Sequence, residues 1–186
     1  DGTPGHPLRG RSTPDCWGMP DLTEEEQLKT DNDSTLLLRM LALYTMAREC
    51  NHNPAFLLEH PADPSGYSKE RTAHLCSSIW ATDAIRTFQQ QYGMLTTTFP
   101  QSALGRLEGA KWTTVTHIHM PKIRRLEHLK PAPAADHSTS SSGELARWAP
   151  GFNDAVAQSI IATLPTLAHW TNQADTDANT DNIGTT

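Results

Sequence analysis

Residues 55–61, AFLLEHP, constrain this chain more than any other stretch: a short apolar run that stops abruptly at Glu59, His60 and Pro61. About five apolar residues bounded by turn formers read as a buried strand, and continuous rather than alternating apolarity predicts a central, parallel one. In an open α/β sheet ligands gather at the carboxyl ends of strands, so a carboxylate, an imidazole and a chain-stiffening proline there mark a candidate pocket edge. The plain structural reading is a strand entering a turn that needs polar residues, and the flanking sequence must decide between the two.

Upstream, STLLLRMLALYTMAREC carries the strongest helical pattern, with Leu37, Met40, Leu41, Tyr44 and Ala47 at three-and-four spacing and Ser34 as a candidate N-cap. Before it, DLTEEEQLKTD offers a separate acidic turn in which Thr23 and Glu26 have capping-box spacing. Downstream, the 62–77 stretch is rich in Pro, Ser and Gly and carries Tyr67, Lys69, Glu70 and Arg71. Thr82 then caps a predicted helix DAIRTFQQQY that Gly93 ends, with Ile85 and Phe88 facing a core. MLTTTFP and WTTVTHI have the β-branched density of two further strands. Helix, strand, helix, strand is the alternation of a layered α/β domain.

Composition sets the outer limits. The 186 residues suffice for one core, but a hydrophobic fraction of 37% predicts long polar tails around it. Residues 1–20 are expected to be loop or disordered, 21–130 the α/β core, 131–143 (PAPAADHSTSSSG) a linker, 144–165 an amphipathic helix packed on the core, and 166–186 a disordered tail. In that helix Phe152, Ala155, Val156, Ser159, Ile160 and Leu164 form the apolar face. A net charge of −6 gives no general attraction to phosphate, although Lys111, Lys122, Arg124, Arg125 and Lys130 make a local basic stretch that reads as solvated surface. Cys16, Cys50 and Cys76 are widely spaced, which indicates neither a disulfide framework nor a zinc site and points to a reducing, intracellular setting. No apolar run approaches the ~20 residues needed to span a bilayer. The chain begins without Met and is expected to be a fragment.

The order of motifs resembles the cytosine-methyltransferase-like domain of retroelement-type polyproteins of dinoflagellates and other protists. The resemblance runs from Trp17 to Leu164 through DCWGMPDLTEEE, DNDSTLLLRMLALYTMA, FLLEHPADP, SSIWAT, FPQSALG, KWTT and SGELARWAPGFNDAVAQSI. It implies a partial Rossmann-like, methyltransferase-type sheet flanked by helices. It also implies that Glu59 inherits the glutamate that steadies a flipped cytosine as a cysteine attacks the ring. His60 replaces the family's usual asparagine, and Trp112 stands where related domains have proline.

Two departures argue against activity in this chain alone. The family's nucleophile sits in a Pro-Cys loop before the glutamate strand, yet none of Cys16, Cys50 and Cys76 follows a proline, and Cys76 lies after Glu59. The glycine-rich cofactor loop is missing as well, because DGTPG and RGRSTP follow no strand. The expectation is therefore a degenerate or partial, noncatalytic domain without a cofactor of its own, holding nucleic acid or a sister polyprotein domain. The alternatives are an S-adenosylmethionine-dependent enzyme completed by sequence upstream, or a protein-interaction module. Glu59 is the catalytic candidate, while His60, Pro61, Trp80, Gln101 and Arg106 are expected to line one residual pocket, with Trp80 and Arg106 at its rim, where the charge of Arg106 would favour an ionised Glu59 if the two come close. His117 and His119 would share a strand face, but no third ligand stands at a metal-site spacing. No G-x-S-x-G elbow is present, and Trp17, Trp80, Trp148 and Trp170 read first as core anchors.

Overall fold

In a computed structural model the described residues are 7–50, 53–67, 77–106, 111–132 and 147–163. They build a mixed α/β fold around a three-stranded sheet, with strands β1 (Phe56–Pro61), β2 (Leu95–Pro100) and β3 (Trp112–Ile118) in the order β1-β3-β2. Both neighbours run antiparallel to β3, with Leu57 and Leu95 each opposite His117. The expectation of a central parallel strand at AFLLE is thus corrected: β1 is an edge strand, and the centre belongs to the threonine-rich β3. Its continuous apolarity has another cause, because both of its faces are covered and Phe56 and Leu58 are buried against helices. β1 and β2 nonetheless run the same way, so β1, the helix between them and β2 form a βαβ-type crossover with β3 inserted in the middle.

Helix α1 (Glu24–Cys50) fuses the two helical segments read separately from the sequence. Its capping box forms as expected: Glu26 Oε2 accepts from the Thr23 amide at 3.0 Å, and Thr23 Oγ1 accepts from the Glu26 amide at 3.4 Å. Ser34 is no N-cap. Its hydroxyl donates to the Thr30 carbonyl one turn back at 2.7 Å, and Thr30 does the same toward Gln27 at 2.8 Å, so both side chains are absorbed within the helix. Helix α2 (Asp83–Tyr92) has the predicted ends, with Thr82 Oγ1 accepting from the Ile85 amide and Gly93 in the left-handed region at φ 61°. Helix α3 (Pro150–Thr163) buries Phe152, Ala155 and Ser159, while Ile160 of its expected apolar face is exposed.

Strand alternation divides the core into two halves. One face of the sheet meets α1 and α2 through Tyr44, Phe56, Ile85 and Phe88, with the Tyr44 and Phe56 rings edge to face at 4.9 Å. The other face carries Phe99 and Val115 against Ile123, Leu126 and Phe152, which belong to the 3-10 turn Ile123–His128 and to α3. Residues 7–20, expected to be loop, are loop around a short 3-10 turn, Asp15–Trp17, but they are tied down. Arg9 donates to the carbonyls of Cys16 and Thr30, and Arg11 forms a two-point ion pair with Asp63. No helix among the described residues is long and apolar enough to cross a membrane. The linker from residue 133, the tail, Cys76, Trp170 and the Lys69–Glu70–Arg71 cluster lie outside the described residues.

Candidate functional site

Side chains on a strand alternate between faces, and this separates Glu59 from His60. Glu59 points to the α3 side. Its Oε2 accepts from the Trp148 indole N–H at 3.1 Å, and its Oε1 lies 3.4 Å from the Lys111 ammonium and accepts a long contact from the Thr113 hydroxyl at 3.4 Å. Thr113 in turn accepts from Gln101 Nε2 at 2.7 Å, and Gln101 Oε1 accepts from the buried amide of Ala149 at 2.8 Å. Every donor along this line points toward Glu59: the Ala149 amide, then Gln101, then Thr113, with Trp148 and Lys111 arriving from the sides. The carboxylate is the terminal acceptor of a largely buried polar network that ties β1, β3, the end of β2 and the start of α3 together.

Gln101 joins Glu59 as the sequence suggested, but as an interior group: it is 0% exposed and both ends of its amide are bonded within the protein. Arg106 is not the cation beside Glu59. It is buried and donates to the Arg147 carbonyl at 2.6 Å, whereas Lys111 of the basic stretch supplies the ion pair.

His60 faces the α1 side. Its ring meets Trp80 edge on at 6.3 Å, and the Trp80 indole donates to the Pro61 carbonyl at 2.9 Å. Burial holds the His60 imidazole below its usual range against the opposing pull of the Pro61 carbonyl and Glu59. The expected convergence of Glu59, His60, Pro61, Trp80, Gln101 and Arg106 on one pocket therefore resolves into three places: an internal network with Glu59 and Gln101, a cavity wall that includes His60 while the neighbouring Pro61 and Trp80 stay outside its lining, and Arg106 bonded to residue 147. That cavity, of about 970 Å³, lies between α1, β1 and the loop carrying Arg9 and Cys16.

His117 and His119 do not form a pair on one strand face. His117 is 1% exposed in β3, with its Nε2 3.1 Å from the Thr97 hydroxyl, while burial and then the Arg124 charge push its imidazole down. His119 follows the strand with φ 56°, and its Nδ1 donates to the Pro54 carbonyl at 3.0 Å. No cluster of three or more metal-ligating side chains occurs among the described residues.

Thr113, Lys111 and Trp148 were not singled out for this site from the sequence. Period-two alternation puts Thr113 on the same face as Glu59's register partner Val115, but nothing local announces Trp148, 89 residues from Glu59. A fit to S-adenosylmethionine can be judged on the turns: after β1 the chain passes Pro64–Gly66 in a 3-10 turn with one glycine, while Gly93 and Gly105 end a helix and a 3-10 turn. None of these described segments is a glycine-rich strand-to-helix loop, so the described turns do not match the cradle that S-adenosylmethionine requires. Comparison with family models, curated proteins and solved structures returns no match for this chain.

Proposed function

We propose that this chain is a noncatalytic α/β domain of the cytosine-methyltransferase-like type, in which the glutamate inherited from the catalytic signature has become a structural acceptor. One observation carries the reading: both oxygens of Glu59 are engaged inside the protein, Oε2 by Trp148 and Oε1 by Lys111 and Thr113, which suits a structural acceptor better than a contact to the ring nitrogen of a base. The shared direction of β1 and β2, joined through α2 with the inverted β3 between them, supports the family assignment. The domain works without a cofactor of its own, in a reducing compartment, and its partner is a sister polyprotein domain or nucleic acid. If a longer parent is active, S-adenosylmethionine and the thiolate come from other sequence.

The test is calorimetry with S-adenosylmethionine together with incorporation of labelled methyl groups into cytosine-containing DNA. The expected result is no saturable heat and no incorporation above a Glu59→Gln control. Binding of the cofactor accompanied by Glu59-dependent methylation would overturn the proposal.

A further inference from the structure

The stripe of α1 that borders the cavity beside β1 is unusually apolar for a surface. Leu36 and Leu43 of α1 are 71% and 64% exposed, yet they do not stand alone, because with Leu37, Met40, Leu58 and Trp17 they line the cavity of about 970 Å³. That volume lies at the upper end for small-molecule sites, and its wall is mainly hydrocarbon, as such sites require. A concave apolar surface of this extent signals an occupant.

The charges at the cavity specify which kind. Arg9 and Arg39 both line it. Arg9 is half-buried, and among the described residues its guanidinium meets only neutral oxygens, the carbonyls of Cys16 and Thr30 and the hydroxyl of Ser34, at 2.6 to 3.0 Å. Arg39 is exposed and has no hydrogen-bond or ion-pair partner among the described residues. Asp33 is the one carboxylate among the described lining residues, against the two cations Arg9 and Arg39, so the described lining has a net positive edge on an otherwise acidic protein. A half-buried guanidinium without a carboxylate is costly to keep, and an anionic group from a ligand would offset that cost.

We infer that this cavity binds a single-chain anionic amphiphile, its hydrocarbon chain laid along Leu36, Met40 and Leu43 and its carboxylate at Arg9 and Arg39. Binding needs no chemistry at Glu59 and does not depend on the domain's ancestry. It gives the domain a ligand that a purely structural module lacks.

The probe is dodecanoate below its micelle concentration, titrated by calorimetry into the full chain, with decanoate, dodecanol and dodecyltrimethylammonium as comparisons. Each buried methylene is worth about 0.8 kcal/mol, or about fourfold, so decanoate should bind roughly 15-fold more weakly. Dodecanol should lose at least threefold relative to dodecanoate, and the ammonium should bind weakest. Arg39→Glu removes the preference for the carboxylate, and Leu43→Asp lowers dodecanoate affinity at least tenfold. Both positions are exposed, so the variants are expected to melt like the parent chain. Absence of saturable 1:1 binding overturns the inference, as does equal affinity for alcohol and carboxylate in the parent chain. A dimer in sedimentation that Leu43→Asp dissociates also overturns it, by assigning the face to a second copy.

Discussion

Replacing Glu59 by Gln separates a structural from a chemical role, because the change keeps shape and removes charge and one acceptor. The carboxylate takes the Trp148 N–H at 3.1 Å on one oxygen and Lys111 and Thr113, each at 3.4 Å, on the other. An amide has a single acceptor oxygen, so its NH₂ must confront either the indole N–H or the ammonium and hydroxyl pair. A hydrogen bond to a charged acceptor contributes about 1.5–3 kcal/mol, and the partly exposed Lys111 pair adds up to about 1 kcal/mol. The expected loss is about 2–4 kcal/mol out of a total stability of roughly 5–15 kcal/mol. For a chain of this size that lowers the melting temperature by roughly 5–15 °C. Urea unfolding followed by far-UV circular dichroism measures it, with an unchanged slope confirming that the folded state is the same. A variant within about 0.5 kcal/mol of the parent, or more stable than it, would refute the reasoning: a residue retained for chemistry characteristically costs stability, and removing it restores some.

Histidine burial fixes the direction of the pH response. His60 and His117 are both held below the usual imidazole range by burial, so between their folded values and about pH 6.5 the unfolded chain binds more protons. Stability is therefore fully present above about pH 6.5 and falls as the pH drops below it through the folded values; His117→Gln should flatten part of that fall, and a urea midpoint that rises on acidification would contradict it. Gly93→Ala should cost about 1 kcal/mol, read as a lower urea midpoint at constant slope, because φ is 61° there although space around the position is open.

The elements with local chemistry at both ends were legible in the sequence. Thr82 and Gly93 bracket α2, Thr23 and Glu26 start α1, and β-branched density marks β2 and β3. Sheet order was not, because a continuous apolar run reports that both faces are covered and says nothing about which neighbour donates the hydrogen bonds. AFLLE meets the first condition at an edge. The site was half legible: Gln101 does reach Glu59, but only through Thr113, one of several threonines in two adjacent strands with no feature to single it out. His60 could have been assigned to the opposite face by alternation alone. Trp148 reaches Glu59 only through the tertiary fold, and a contact made that way has no sequence signature. The fusion of α1 was obscured because Thr30, Asp31, Asn32, Asp33 and Ser34 are residues that favour helix ends, and the hydroxyls of Thr30 and Ser34 turn back onto the helix itself.

β3 is the only strand with which either β1 or β2 pairs among the described residues, and it is the last of the three in the chain. During synthesis β1 must wait for the partner of Phe56, Ile118, which lies 62 residues later. Until then the nascent chain holds two strands and no sheet. Assembly is consequently a late, long-range event, slow relative to helix formation, and any product ending before Trp112 carries unpaired strand edges and is prone to aggregation. The same dependence makes β3 the position where a register error would be most damaging, because a one-residue slip there would misalign both neighbours at once and turn Val115 and Thr113 away from Glu59.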